Sequence, residues 1–405
     1  MNVLKRIWNF EIRTDDRFWA STKWILPFVW IAGTGFAFYT VMLIGVLPGT
    51  DNLSIVNFSE VFEKYFKLRS SDPLWFRPYL PYVWLVVAVI AVISRAAIII
   101  SGYYMAKKRL GEAAFNQMFG TYLMTFMIGT ATLLGLTIIS IICYLAGYHF
   151  DWIKHLIYSG IEGFKALLEA VIPFSIGIKS YWLAIILSLF VASLPGYIVH
   201  YLSHKSRFLW LTAHKAHHCP EFLFPIAAPN NNIAILEVLL AIPGLIFFTV
   251  ISGMIYTEPL IFELAIWYTV RLWLESFNHS YVHYDFANKN SLIRNASMIF
   301  GDIGVYHLVH HSAYERDQNV NFGASPFMFW DRIFGTYRQP YEEAPPIGLT
   351  DQPPISKSPM KIVFSGFAQL AYEWKMNKSW KIRWKIIFGD VYYKPPVTKD
   401  FLLLE

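Results

Sequence analysis

Residues 200–218 read HYLSHKSRFLWLTAHKAHH, and the spacing of the five histidines along them decides how the rest of the chain is read. The pattern is His200-x-x-x-His204, followed by His214-x-x-His217-His218. On a helix, residues three and four apart share a face, so each group can aim two or three imidazoles at one point. Two further groups follow, His279-x-x-x-His283 and His307-x-x-His310-His311. Ten of the twelve histidines thus fall between positions 200 and 311; His149 and His155 read as ordinary surface residues. Imidazole is a borderline ligand that suits iron, zinc and copper. Ten rings exceed what one ion accepts, so two ions are the natural number, and all ten histidines are candidate metal ligands and catalytic residues. Few carboxylates lie near them. Glu275, Asp285 and Asp302 are the closest, and could orient imidazole N–H groups or serve as surface and capping residues. Cys219 fits a turn before Pro220 better than a ligand role.

Outward from this stretch the chain becomes apolar. A helix crossing the ~30 Å hydrocarbon layer needs about 20 mostly apolar residues. The run from about Tyr181 to Tyr201, which ends on the first histidine pair, qualifies. So do Trp24–Leu47, Tyr82–Met105, Tyr122–Gly147, Ile233–Ile251 and Leu260–Phe277. The last two are joined by the short turn Ser252–Pro259 and form either a hairpin or a pair that dips in and returns. Arg95, Glu237, Glu263 and Arg271 interrupt these runs; snorkelling or pairing between helices suits them better than a place in the site. The fold class expected is all-α: a polytopic membrane helical bundle of about four to six embedded helices with a cytoplasmic histidine-rich helical cap.

Composition agrees. Hydrophobic residues make up 55% and charged residues 15%, against roughly 25% charged in soluble domains. The formal charge of +6 reads as topology and anionic-lipid contact, and nothing resembles a nucleic-acid surface. Two cysteines exclude a disulfide framework. The basic segment Met1–Lys23 places the N-terminus on the cytoplasmic side. Successive crossings bring Lys107–Arg109, then Lys205, Arg207 and Lys215, to that side, and with them all four histidine groups. The opposite loops, Pro48–Pro81 and Tyr148–Ser180, balance their bases with acids such as Asp51, Glu60, Glu63 and Asp72. Three regions result: membrane helices and loops over 1–180, a histidine-box domain over 181–338, and a cytoplasmic or membrane-surface tail over 339–405. In that tail Pro340–Pro359 reads as an extended linker, while Tyr372–Lys385 and Tyr392–Lys399 are aromatic and basic enough to lie on a membrane surface.

The order of the histidine groups resembles the fatty acid hydroxylase / sterol desaturase superfamily. The resemblance is carried by His200–His204, Leu209-Trp210 and His214–His218. It continues through Tyr306-His307-Leu-Val-His310-His311-Ser312, then Asn321-Phe322-Gly323, then Trp330-Asp331-Arg332-Ile-Phe334-Gly335-Thr336-Tyr337. It covers about residues 181–338. Residues 219–232, including Asn230–Asn232, match no branch motif. The resemblance implies a di-iron centre, O2 as co-substrate, and a lipid (sterol, fatty acyl or ether lipid) that is hydroxylated or desaturated. The sterol desaturase-like and alkylglycerol monooxygenase-like branches are nearest. No cytochrome, ferredoxin or dinucleotide-binding motif is present, so electrons come from an external reductase with a ferredoxin or cytochrome, or from a pterin. The lack of a fused cytochrome favours a bacterial inner membrane over the endoplasmic reticulum. Two other readings compete: a zinc-dependent membrane hydrolase, which needs only three protein ligands, and a non-enzymatic metal-binding or transport protein, which would place ligands near mid-membrane.

Overall fold

A computed structural model describes residues 2–11, 58–70, 72–125, 177–223, 254–256, 260–274, 277–300, 304–323 and 325–404, with scattered positions between 128 and 170. The expected spans Trp24–Leu47 and Ile233–Ile251, with Glu237, lie outside these residues, as do most of Tyr122–Gly147, Cys143, His149, His155, Asn230–Asn232, Glu275 and Asp302. Among the described residues the chain is helical, with three isolated bridges and no strand. We label α1 (Asn2–Trp8), α2 (Phe58–Arg69), α3 (Leu80–Leu110), α4 (Tyr181–Lys205) and α5 (Ile261–Leu274).

Helix α3 carries one charge, Arg95, before its last turn. Pro81 stands in the first turn, where a missing N–H costs nothing, and Lys107, Lys108 and Arg109 in the last turn oppose the helix dipole. Gly111, at φ 81°, ends it. Helix α4 starts at Ser180, whose hydroxyl accepts from the Leu183 N–H. Both helices are long and apolar enough to cross a membrane. At 1.5 Å per residue, the 31 residues of α3 reach about 46 Å. Its outer face is bare apolar surface, with Leu85, Val86, Val89, Ile90, Val92 and Ile93 all exposed.

Helices α3, α4 and α5 run the same way. At their starts, Phe76 stacks on Trp182 with ring centroids 5.8 Å apart. Buried Arg77 pairs there with Asp72 (2.5 Å) and with Glu263 of α5 (3.3 Å), and the Tyr181 hydroxyl donates to the same Glu263 oxygen (3.1 Å). Glu263 is therefore paired between helices through Oε1, as its position in an apolar run favours. Farther along, the Trp84 indole N–H donates to Thr269 of α5 (3.0 Å). At the other end, Ser101 of α3 meets His283 (3.2 Å) and Arg109 lies over the Tyr281 ring (4.8 Å), where α4 also ends in its histidines.

A helical cap covers those ends. It includes α6 (Tyr284–Lys289), α7 (Ser291–Phe300), α8 (Val305–His310), α9 (Phe329–Ile333), α10 (Pro359–Met376) and α11 (Trp380–Phe388). The proline-rich stretch after residue 339 lies against the histidine region: the Gly348 N–H donates to the His311 carbonyl (3.1 Å), and the Ala313 N–H to that of Pro346 (2.8 Å). The tail then packs beneath residues 207–218. Gly366 of α10 lies so close to Leu211 that any Cβ would overlap that residue's carbonyl. Buried Arg207 pairs with buried Glu373 (2.7 Å) and donates to the carbonyls of Ile386 (3.0 Å) and Tyr393 (2.9 Å). Helix α11 buries Ile386 but leaves Trp380, Trp384 and Phe388, spaced four apart on one face, exposed beside Lys381 and Lys385.

Candidate metal centre

Local backbone decides how each ring is presented. His200 and His204 stand one turn apart at the end of α4. Ser206 then caps a new helical turn over Arg207–Leu209, accepting from the Leu209 N–H. The chain widens into a π-helical turn over Trp210–His214 and returns to α-helix over Lys215–His218. Such π turns inside helices are rare and gather at functional sites. His307 and His310 lie in α8, which is entered through Gly304 at φ 64°; a Cβ there would stand 2.9 Å from Ser297 Oγ. His279 leaves a turn after α5, and His283 closes the 3-10 turn Tyr281–His283.

Eight of the ten histidines gather into two quartets, His200/His204/His214/His310 and His217/His279/His307/His311, in each of which one nitrogen per ring lies within 4.8 Å of the others. Nε2 atoms approach to 3.0 Å between His200 and His310, 3.1 Å between His307 and both His279 and His311, and 3.3 Å between His217 and His279. For nitrogens about 2.1 Å from a shared ion, such separations subtend roughly 90–105° at the metal, a normal coordination angle. Each H-x-x-H-H group is divided. His214 and His310 serve one quartet, and His217, His307 and His311 the other.

The donor chemistry tests whether a cation fits. His200 Nδ1 lies 2.8 Å from the Phe322 carbonyl, and His310 Nδ1 lies 2.7 Å from that of Val320. A carbonyl only accepts, so both Nδ1 atoms carry the proton and both Nε2 atoms present bare lone pairs. Lone pairs facing each other at 3.0 Å repel; a metal ion between them turns repulsion into ligation. Burial, reinforced by the neighbouring imidazoles, holds His214, His218, His279, His310 and His311 well below the ordinary histidine value of 6.5. These rings are neutral at neutral pH. For His279 the Arg95 charge adds to the effect.

The remaining two predicted ligands belong to neither quartet. His218 lies between them: its Nε2 is 3.1 Å from that of His214, and its ring stacks on His311 at 4.3 Å. His283 is not brought to either quartet. Its Nδ1 meets Ser280 Oγ (2.6 Å) and its Nε2 meets Ser101 Oγ (3.2 Å). The expectation for the His279–His283 pair used the helical i, i+4 rule, but these residues form turns, where that rule has no force. Asp285 is exposed on α6. Sequence reasoning did not assign roles to Trp210, whose ring adjoins His204 (5.2 Å) and His218 (5.5 Å), or to Phe322, whose ring adjoins His204 (5.1 Å). Both stood inside quoted motifs without metal-binding chemistry, and that was the available signal.

Residues 185–336 match the sequence profile described as fatty acid hydroxylase. Over 142 residues the chain is 32% identical to a protein described as cholesterol 25-hydroxylase from Rattus norvegicus, covering 34% of this chain and 41% of that one. The chain thus spans about two fifths of the length of the curated relative it matches. No solved structure matches it.

Proposed function

We propose, from a segment that belongs to the fatty acid hydroxylase / sterol desaturase superfamily, that this chain is an integral-membrane oxidoreductase that hydroxylates a lipid with O2. The observation that carries the proposal is the pair of largely buried imidazole quartets at the shared end of three parallel helices. We assign iron to both quartets. An all-imidazole donor set suits iron, zinc or copper, and oxidation of an unactivated C–H bond requires a redox-active ion. Bound there, iron supplies the activation of O2.

The chain's own groups do the rest. Four imidazoles per quartet hold charge without acidic ligands. Phe322 and Trp210 pack against the rings and limit water. In hydroxylation one oxygen atom enters the C–H bond and the other leaves as water, taking up two electrons and two protons from an external donor. That donor is a reductase with a ferredoxin or cytochrome, or a pterin. The relative's name favours a sterol or similarly apolar substrate and favours hydroxylation over desaturation. In this reading α3 and α4 cross the bilayer, the cap lies on the cytoplasmic side, and the aromatic face of α11 rests on the lipid surface. The test is lipid analysis of cells with and without the protein, grown under 18O2. Label in a new hydroxyl group is expected. An unlabelled product, or full activity without oxygen, would overturn the assignment in favour of hydrolysis.

A further inference from the structure

The runs Asn321-Phe322-Gly323 and Trp330–Tyr337 contain no metal-binding imidazole, yet they stand directly behind one quartet. We propose that Asp331 and Asn321 are positioning residues for the quartet His200/His204/His214/His310. They clamp residues 320–323 so that two backbone carbonyls hold His200 and His310 with Nε2 turned inward. The inference rests on the reading of that quartet as a metal site.

Asp331 is fully buried. Its Oδ1 accepts from the Phe322 N–H (2.8 Å) and the Thr336 hydroxyl (2.7 Å), and its Oδ2 accepts from the Gly323 N–H (2.8 Å). Three donors meet one carboxylate, and the two backbone N–H groups among them fix the peptide planes of Phe322 and Gly323. Asn321 is also fully buried, with φ 51°, a left-handed conformation that asparagine tolerates better than most residues. Its amide donates to the carbonyls of Tyr306 and Arg338 (3.0 Å each), and its carbonyl accepts from the Arg338 N–H (2.8 Å).

The peptide between these clamps is thereby held at both side-chain and main-chain level. Its Val320 and Phe322 carbonyls are those that accept from His310 and His200. Thr336 closes the circuit: its carbonyl accepts from the Asn321 N–H (2.8 Å), and its hydroxyl lies 3.0 Å from that of Tyr197, one turn before His200 on α4. If Phe322 moves, His200 loses the acceptor that selects its tautomer, and either nitrogen can then face the ion. Hydrogen-bond partners of metal-binding imidazoles typically change metal affinity about 10–100-fold.

The test uses full-length protein in lipid nanodiscs, loaded anaerobically with iron(II) or, as a spectroscopic probe, cobalt(II). Asp331→Asn places an N–H₂ group where a backbone N–H needs an acceptor. Wild-type protein is expected to take up two equivalents. The Asp331→Asn variant is expected to keep its helicity and one tight equivalent, while the other weakens at least tenfold and its cobalt absorption bands shift. Thr336→Val, which removes one donor but leaves the carboxylate, is expected to show the same selective loss in milder form, and Thr336→Ser to restore it. This series decides the matter if Asp331→Asn does not fold. Unchanged affinity for both equivalents, or loss of both in step with helicity, would overturn the clamp. Failure of the wild type to bind any metal would instead overturn the quartet reading on which the clamp rests.

Discussion

Glu373→Gln tests whether the tail is a working part of the histidine domain. Glu373 is 0% exposed, and its carboxylate receives Arg207 Nη2 (2.7 Å), Gln369 Nε2 (2.9 Å) and Thr398 Oγ1 (2.5 Å). Glutamine keeps the shape and removes the charge, leaving the guanidinium of Arg207 buried without a counter-ion. Removing one partner of a buried pair costs about 3–5 kcal/mol. Arg207 retains two carbonyl acceptors, so the lower figure applies. At 1.4 kcal/mol per tenfold, about 3 kcal/mol is roughly a hundredfold shift in an opening equilibrium. The pair joins residues 207–218 to α10 and the end of α11, so the opening it controls is undocking of the tail. Hydrogen exchange of peptides covering 359–388, in nanodiscs, reads that equilibrium directly. The double variant Arg207→Met/Glu373→Met removes both charges and is expected to regain most of the protection. Protection in Glu373→Gln within about threefold of wild type, or a double variant no better than the single, would refute the reasoning.

Gly366→Ala forces α10 away from Leu211 and strains the π-helical turn that presents His214. Overpacking of this kind costs about 1–3 kcal/mol, and reduced metal content of the purified protein should accompany a lower melting temperature. His283→Ala should retain full metal content, whereas His310→Ala should lose at least one equivalent; equal losses would place His283 at the metal. Acidification should destabilise the metal-free protein. Below the ordinary value of 6.5 the unfolded chain takes up protons that the buried rings of His214, His218, His279, His310 and His311 refuse. Stability therefore levels off above that pH and falls below it, by at most about 1.4 kcal/mol per pH unit for each ring. Melting curves at pH 8, 7, 6 and 5 check the sign, and a rise in stability on acidification would refute it.

The match over residues 185–336 was legible because grouped histidines leave a spacing record in the sequence. The pair His200/His204 needed only a helix to share a face. How the H-x-x-H-H groups divide between quartets was not legible. A π-helical turn re-aims His214 relative to His217, and no residue in Trp210–His214 announces it. That His283 lies outside both quartets was not legible for the same reason, a turn standing where a helix was assumed. The carbonyls behind His200 and His310 belong to the backbone and have no letter in the sequence. The tail carried no motif because its attachment rests on backbone hydrogen bonds, a close glycine contact and buried ion pairs, features that composition does not separate from surface residues.

Helix α3 behaves as a depth gauge. From Leu80 to Ser101 it rises about 32 Å, close to the ~30 Å thickness of a hydrocarbon slab. If α3 crosses the bilayer as proposed, with Leu80 at one face, the Ser101–His283 contact falls at the opposite lipid–water boundary, and the last turns stand above it like a post under the roof. Because the post is rigid, a host membrane with longer or shorter acyl chains must tilt it or shift the reaction chamber relative to the lipid. If the chain hydroxylates a lipid as proposed, which carbon of the substrate is oxidised then becomes partly a property of the surrounding bilayer, and the regiochemistry of the product should change with it.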